Sequence, residues 1–343
     1  MSESTLGDSS TSPGRGPANA GEASGDPSGG SSSGSGEAAS GSSTAPGSQK
    51  QAGQLTAGVW DDNLNYEFFG KYLMDSSSLT GIPKYSLEER KSAHDTFLQR
   101  VPASELDIAF LFDTTGSMGD ELNYLQTEVD SIAQRIKDKF PSTTPRFALV
   151  VYKDKGDAYI TRKFDFTDLA GFRTALNNQS AGGGGDYPEA VAEGLSETVA
   201  LSWRPDAVSR LTFWIADAPH HNGQELTVKQ SIDAALQKGI HIYPVAASGT
   251  DPRAEYTMRT AAQITGGRYI FLTDDSGIGN AHAEPHIPCY HVTRFDSAIV
   301  RMVESEMTGG RVAPAAEEIL RTVGSPSPDG KCTLQSKEEV TLY

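Results

Sequence analysis

Little in this sequence of 343 residues suits a membrane, a nucleic acid or a disulfide scaffold. No apolar run approaches the roughly 20 residues that cross a bilayer. No basic start followed by an apolar core opens the chain either, so no signal peptide is legible. Lys and Arg total 29 against 45 Asp and Glu, a formal charge of −16 that no basic stripe interrupts. Nucleic acid and anionic lipid are therefore poor partners, and divalent cations or a basic patch on another protein fit better. Cysteine is limited to Cys289 and Cys332, at most one bridge. In an exported protein that bridge would pin the tail to the main domain, and in a cytosolic one both would be free thiols.

Residues 1–54 hold no aromatic residue, no Val and no Ile. They are mainly Ser, Gly, Ala and Pro, which cannot bury enough surface to offset the entropy of ordering, so a disordered linker is expected there. Residues 55–103 read as a helical N-terminal arm, with Asp61 and Asp62 mixed among Tyr66, Phe68, Phe69 and Tyr72. The main domain is placed at 104–310, and a C-terminal helix and tail at 311–343.

Within the main domain, short apolar runs at Leu106 to Phe112, Phe147 to Tyr152, Leu211 to Ala216, Ile240 to Ala247 and Tyr269 to Leu272 suit strands buried on both faces. Tyr159 to Phe166 alternates in character and suits an antiparallel edge strand beside the second of these. Met118, Leu122, Leu125, Val129, Ile132 and Ile136 step by four and three, the apolar stripe of an amphipathic helix. Further helices are expected at about 167–177, 188–201, 226–238, 253–264 and 292–307. This alternation predicts an α/β fold, a doubly wound, Rossmann-like, mostly parallel sheet flanked by helices. Its ligand site should lie beyond the carboxyl ends of the strands, where strand order reverses.

Three loops at such ends carry oxygen ligands. Asp113, Thr115 and Ser117 alternate after the first strand, Asp186 follows Gly182 to Gly185, and Asp217 follows the strand ending at Ala216. A carboxylate and two hydroxyls at positions i, i+2 and i+4 suit a hard divalent cation, Mg²⁺ foremost, with Ca²⁺ or Mn²⁺ as alternatives. Each loop also has a bland reading. Ser117 with Asp120 has the form of a capping box, Asp186 with Glu189 caps equally well ahead of Val191 and Leu195 with Pro188 in the first turn, and Asp217 before Ala218 and Pro219 is a turn former. Their coincidence on three strand ends favours the metal.

The combination resembles the von Willebrand factor A domain and its metal-ion-dependent adhesion site. The pattern there is an Asp-x-Ser/Thr-x-Ser first loop, a Thr or Asp in a Gly-rich second loop and an Asp ending a later strand. Asp113, Thr115, Ser117, Asp186 and Asp217 match it one by one. The wording DTTGSM, GGGDYPEAV and WIADAPHH is most similar to hemicentin-like, kinase-linked and bacterial members. The resemblance implies a non-enzymatic module that binds another protein through the cation, with Thr115 and Ser117 coordinating directly and Asp113 and Asp217 directly or through water. It favours an extracellular or cell-surface location, whereas the absence of a signal peptide favours the cytoplasm. A carboxylate at 186 instead of a neutral Thr would bring the surroundings of a divalent ion to about −1, weakening its pull on an acidic partner.

Two alternatives were weighed. An accessory subunit recognising an ATPase or chelatase uses the same fold. A Mg²⁺-dependent phosphohydrolase of the haloacid dehalogenase type needs a second Asp two residues after the nucleophile, and position 115 is Thr, although Asp274 and Asp275 resemble the late acidic pair of that family. No GxxxxGK[ST] run is present, and residues 115–119 read Thr-Gly-Ser-Met-Gly instead of GxSxG. His220 and His221 are expected in an exposed turn at the rim of the site. His282, His286, Cys289 and His291 have a spacing that would admit a transition metal, though such loops more often face solvent.

Overall fold

Strand β2 (Glu105–Asp113) is the axis of the molecule, and its side chains alternate between two separate apolar cores. Leu106, Ile108, Phe110 and Phe112 enter one; Ala109 and Leu111 enter the other. Burying each of the large side chains stabilises the fold by roughly 1.5–3 kcal/mol. The computed structural model describes residues 55–98, 102–185, 187–205, 208–278 and 281–343, so the linker expected at 1–54 lies outside the described residues.

The described sheet has nine strands. In chain order they are β1 (Thr56–Trp60), β2, β3 (Arg146–Tyr152), β4 (Thr161–Thr167), β5 (Val208–Ala216), β6 (Ile240–Ala246), β7 (Tyr269–Thr273), β8 (Tyr290–Arg294) and β9 (Arg321–Val323). Their order across the sheet is β4-β3-β2-β5-β6-β7-β1-β8-β9. The run from β3 to β7 is parallel, while β4, β1 and β9 pair antiparallel with their neighbours. The sheet is thus mixed but mostly parallel, as the apolar runs predict, with β4 as the expected edge strand.

Helices cover both faces: α1 (Tyr66–Asp75), α2 (Leu87–Phe97), α3 (Gly119–Lys139), α4 (Leu169–Asn177), α5 (Val191–Val199), α6 (Glu225–Gln237), α7 (Pro252–Thr265) and α8 (Phe295–Thr308). The stripe from Leu122 to Ile136 on α3 packs with Ile299 and Val303 of α8 in one core. Val191 and Leu195 of α5, Val228 and Ile232 of α6 and Met258 of α7 fill the other. Helix α7 is sharply bounded: Asp251 accepts the Ala254 N–H at 2.8 Å, Pro252 fits the first turn, and Gly266 closes it in the left-handed conformation.

The structure differs from the sequence reading at both ends of the main domain. The segment expected as a helical arm opens with β1, which lies between β7 and β8. Asp61 and Asp62, just beyond β1, form buried ion pairs with Arg268 at 3.0 Å and Arg259 at 2.7 Å that fasten the arm to α7 and β7. Residues 311–343 hold no α-helix; they form β9 and a hairpin of β10 (Lys331–Thr333) and β11 (Glu339–Thr341). A Cys289–Cys332 disulfide joins that hairpin to the segment before β8.

The chain runs outward from β2 to β3 and β4, then returns to the other flank of β2 as β5. Strand order therefore reverses between β2 and β5. Their register sets Phe112 opposite Ile215, so Asp113 and Asp217 emerge at neighbouring carboxyl ends of that switch point.

Candidate functional site

Asp113 is the last residue of β2 and is fully buried. Its Oδ1 accepts the Thr115 backbone N–H at 2.9 Å and the Thr115 hydroxyl at 2.7 Å, which folds the loop back on itself. Its Oδ2 is buried without a hydrogen-bond partner among the described residues. Across the switch point Asp217 is also buried; the Ser117 hydroxyl bonds to its carboxylate, and its Oδ1 has no partner. Leaving such oxygens unpaired inside a protein is costly, so an arrangement of this kind calls for a bound donor or cation.

The second loop is laced to the first. The Gly182 N–H donates to the Thr114 carbonyl at 3.1 Å, and the Gly116 N–H donates to the Gly183 carbonyl at 3.1 Å. The Lys153 ammonium bonds to the carbonyls of Thr114 and Gly182. Gly183 has a φ of +85°, and a Cβ there would meet the Asp157 carboxylate at 2.4 Å, so the close approach requires glycine. Gly184 likewise leaves room for Glu189 and Thr115, whose atoms would lie 3.0 and 3.1 Å from an added Cβ. Tyr187 reaches across the opening, its hydroxyl 3.1 Å from the Asp217 carbonyl and 2.8 Å from that of Gly249.

Between these loops lies a cleft of about 440 Å³, lined by Thr115, Ser117, Gly184, Tyr187, Glu189 and Asp217 among others. Two further carboxylates belong to the region: Glu189, which the sequence offers only as part of a helix cap, and Glu121, for which it gives no signal. Glu189 is 4% exposed and its Oε2 has no partner; Glu121, in the first turn of α3, leaves its Oε2 unpartnered while its other oxygen is 3.4 Å from the Ser248 hydroxyl. Burial, then the charge of Asp217, pushes Asp113 up to about 7. Burial chiefly, with Asp217 adding, pushes Glu121 up to about 7, and burial with Asp113, Asp154, Asp157 and Asp217 pushes Glu189 up to about 9. Asp217 is raised by burial, and Lys153 is lowered by the same cause. Burial foremost, with neighbouring charges adding at Asp113, Glu121 and Glu189, disfavours the ionised forms of these carboxyls, a cost that a cation would relieve.

The structure thus brings Asp113, Thr115, Ser117 and Asp217 together; Asp186 lies outside the described residues. The capping readings are not realised at Ser117 and Glu189. Neither the short turn at Gly116–Met118 nor α3 has a side-chain cap, and α5 starts at Val191, beyond Pro188, behind an Ala190 that cannot cap. Asp217 is buried and does not sit in an open turn. His220 is no exposed turn residue either: it is fully buried, and burial followed by Arg253 lowers it to about 4, keeping it neutral. His221 pairs with Asp154.

Among the described residues, the side chains of the loop after β7 turn to other partners than a shared metal position. Cys289 is in its disulfide, and His282, His286 and His291 turn to Asp274, Glu255 and Thr322 at 2.8, 2.7 and 2.8 Å. Asp275 is held by Arg321 through two 2.7 Å contacts, so the late acidic pair is committed outside the cleft. Among the described residues no three His, Cys, Asp or Glu side chains converge on one ion position, so the Thr115 and Ser117 hydroxyls are needed to complete an oxygen set. With hydroxyls, two unpaired carboxylate oxygens and no thiolate or imidazole, the donor chemistry fits Mg²⁺, Ca²⁺ or Mn²⁺.

Residues 107–277 match the family model of the von Willebrand factor A domain. The alpha-protein kinase vwkA of Dictyostelium discoideum is 27% identical over 172 residues, 49% of this chain and 27% of that protein. The von Willebrand factor A domain-containing protein 7 of Homo sapiens is 32% identical over 120 residues, 34% of this chain and 13% of the relative. The chain thus spans 27% or less of the length of these curated relatives. Among solved structures, the conserved hypothetical protein BatB from Bacteroides thetaiotaomicron aligns with 59% of this chain and 98% of its own, at 16% identity and a TM-score of 0.39.

Proposed function

We propose, from the premise that this chain is a von Willebrand factor A domain protein, that the cleft between β2 and β5 holds a divalent cation and binds another protein through it. Domains of this family are generally protein-interaction modules. The metal-dependent form of that activity rests on one observation: Asp113 Oδ2 and Asp217 Oδ1, at neighbouring strand ends of the switch point, are buried without hydrogen-bond partners among the described residues. Thr115, Ser117 and the two aspartates would hold the ion. A bound Mg²⁺, or Ca²⁺ or Mn²⁺ in its place, would supply positive charge and an open position for a partner's oxygen.

The chain's own residues shape what that partner offers. Asp113, Asp217 and one carboxylate from the second loop would outweigh the charge of a divalent ion by about one unit, which disfavours an acidic group and favours a neutral or water-bridged oxygen. Tyr187 at the mouth adds a half-exposed aromatic edge beside the ion, of the kind that anchors protein contacts.

Binding without turnover is the reading the side chains support. The Thr115 and Ser117 hydroxyls are paired with Asp113 and Asp217, and among the described residues no histidine lines the cleft beside them. The kinase in the name of the Dictyostelium relative belongs to a protein of which the matched stretch is 27%. Crosslinking the chain to its neighbours in Mg²⁺ and in chelator tests the proposal. A set of partners seen in Mg²⁺ should vanish in chelator, and Asp113→Ala should copy the chelator. Identical sets in all three conditions would refute metal-dependent binding.

A further inference from the structure

We infer that Glu189, not only Asp186, supplies the second-loop negative charge that acts on the cation, and that it sets the affinity of the site for its metal. This rests on the proposal that the cleft holds a cation.

Glu189 is clamped by three parts of the site at once. Its backbone N–H donates to the Pro219 carbonyl at 2.9 Å in a short parallel bridge with His220, which fixes it against the loop carrying Asp217. The next residue, Ala190, donates to the Lys153 carbonyl at 3.0 Å, tying the same turn to the end of β3. Its side chain lies against Gly184, where an added Cβ would sit 3.0 Å from Oε1. The carboxylate lines the cleft beside Thr115 and Asp217.

Nothing structural accounts for a charge held there. Glu189 caps no helix, since α5 begins two residues later without a side-chain cap. Its Oε2 is buried and has no hydrogen-bond partner among the described residues. Lys153, which feels the charge of Glu189, directs its ammonium protons to the Thr114 and Gly182 carbonyls instead. A carboxylate positioned this firmly with an oxygen left unpaired is a poor design for stability and a good one for a site that receives positive charge. Because it does not converge with Asp113 and Asp217 on a single ion position, Glu189 acts from farther out, through charge and solvent in the cleft.

The test uses Mn²⁺ alone as probe and the full chain, stripped with chelator. Mn²⁺ affinity is measured calorimetrically for the wild type, Glu189→Gln, Asp186→Asn and Asp113→Ala, together with the melting temperature of each without metal. Glu189→Gln should weaken Mn²⁺ binding by about tenfold or more. Its metal-free melting temperature should be unchanged, since the amide replaces, at nearly the same shape, a carboxyl group whose Oε2 has no hydrogen-bond partner among the described residues. A merely structural glutamate would show the reverse, a lower melting temperature with unchanged affinity. Wild-type affinity in Glu189→Gln overturns the inference, whether or not Asp186→Asn is weakened, and leaves the cation site standing. Wild-type protein that binds no Mn²⁺ overturns both. Should Glu189→Gln fail to fold, Glu189→Asp keeps the charge but withdraws it by one methylene, and unchanged affinity in that variant counts against the inference.

Discussion

Asp113, Glu121 and Glu189 make the metal-free cleft a store of protons. Carboxyls ordinarily titrate near about 4, whereas burial and mutual charge push these three to about 7, 7 and 9. Raised folded-state values mean that the folded chain binds more protons than the unfolded one between about pH 4 and pH 9, so their contribution to stability declines as pH rises through that window. His220 works in the other direction: its value is lowered to about 4, so stability is lost as pH falls below about 6.5. With chelator, the melting temperature should therefore fall between pH 6 and pH 8. A cation that replaces those protons should flatten the decline, and its binding at neutral pH should release protons that an indicator dye detects. Equal slopes with and without Mg²⁺ would count against carboxylates as the ion's neighbours.

At the same scale, the gathering of Asp113, Thr115, Ser117 and Asp217 at one switch point is legible in the sequence because strand-end loops hold their residues at fixed spacing. Glu189 and Glu121 are not. Glu189 sits three residues past Asp186 and ahead of an apolar run, the pattern of a helix cap, and only the position of α5 shows that it serves no helix. Glu121 is hidden among the polar residues of an amphipathic helix, and its burial follows from Asp217 and Ser248 lying above it. His220 gives the opposite error: a polar residue in a turn-like run is buried because Glu189 and Pro219 draw its backbone into a bridge.

Among the elements, β2, β3, β5, β6 and β7 announce themselves as short, uninterrupted apolar runs, and α3 by its stripe. Strand β1 does not, because Ala57 and Gly58 interrupt the strand formers Thr56, Val59 and Trp60 and its pairing partners lie more than 200 residues away. Gly58 shows how closely it is seated. It lies opposite Phe271 on β7, and a Cβ at this position would come 2.3 Å from that ring. Gly58→Val should therefore cost about 1–3 kcal/mol through overpacking, read as a lower urea midpoint. A wild-type midpoint would mean that β1 is not seated between β7 and β8. The pairs in β10 and β11 were equally unreadable, since each strand is three residues long and held by the hairpin and the Cys289–Cys332 bridge more than by its own pattern.

Taken whole, the molecule joins an acidic chain of net charge −16 to a sheet whose strand order reverses beside two carboxylate oxygens left without hydrogen-bond partners among the described residues. Strand β1 lies beyond β7 in the sheet, and the disulfide pins the β10–β11 hairpin to the segment before β8, on the same side. The cleft is defined by three loops whose backbones are hydrogen-bonded to one another, and among the described residues Asp113, Glu189 and Asp217 each leave one carboxylate oxygen without a hydrogen-bond partner. The most direct measurement is the melting temperature of the chelator-stripped chain across titrations of Mg²⁺, Mn²⁺ and Ca²⁺, beside Asp113→Ala. A bound cation predicts a saturable rise, equivalent to about 2.7 kcal/mol at a hundred times the dissociation constant and abolished in the variant. No shift with any of the three ions at millimolar concentration, or the same shift in Asp113→Ala, would contradict a metal at the switch point.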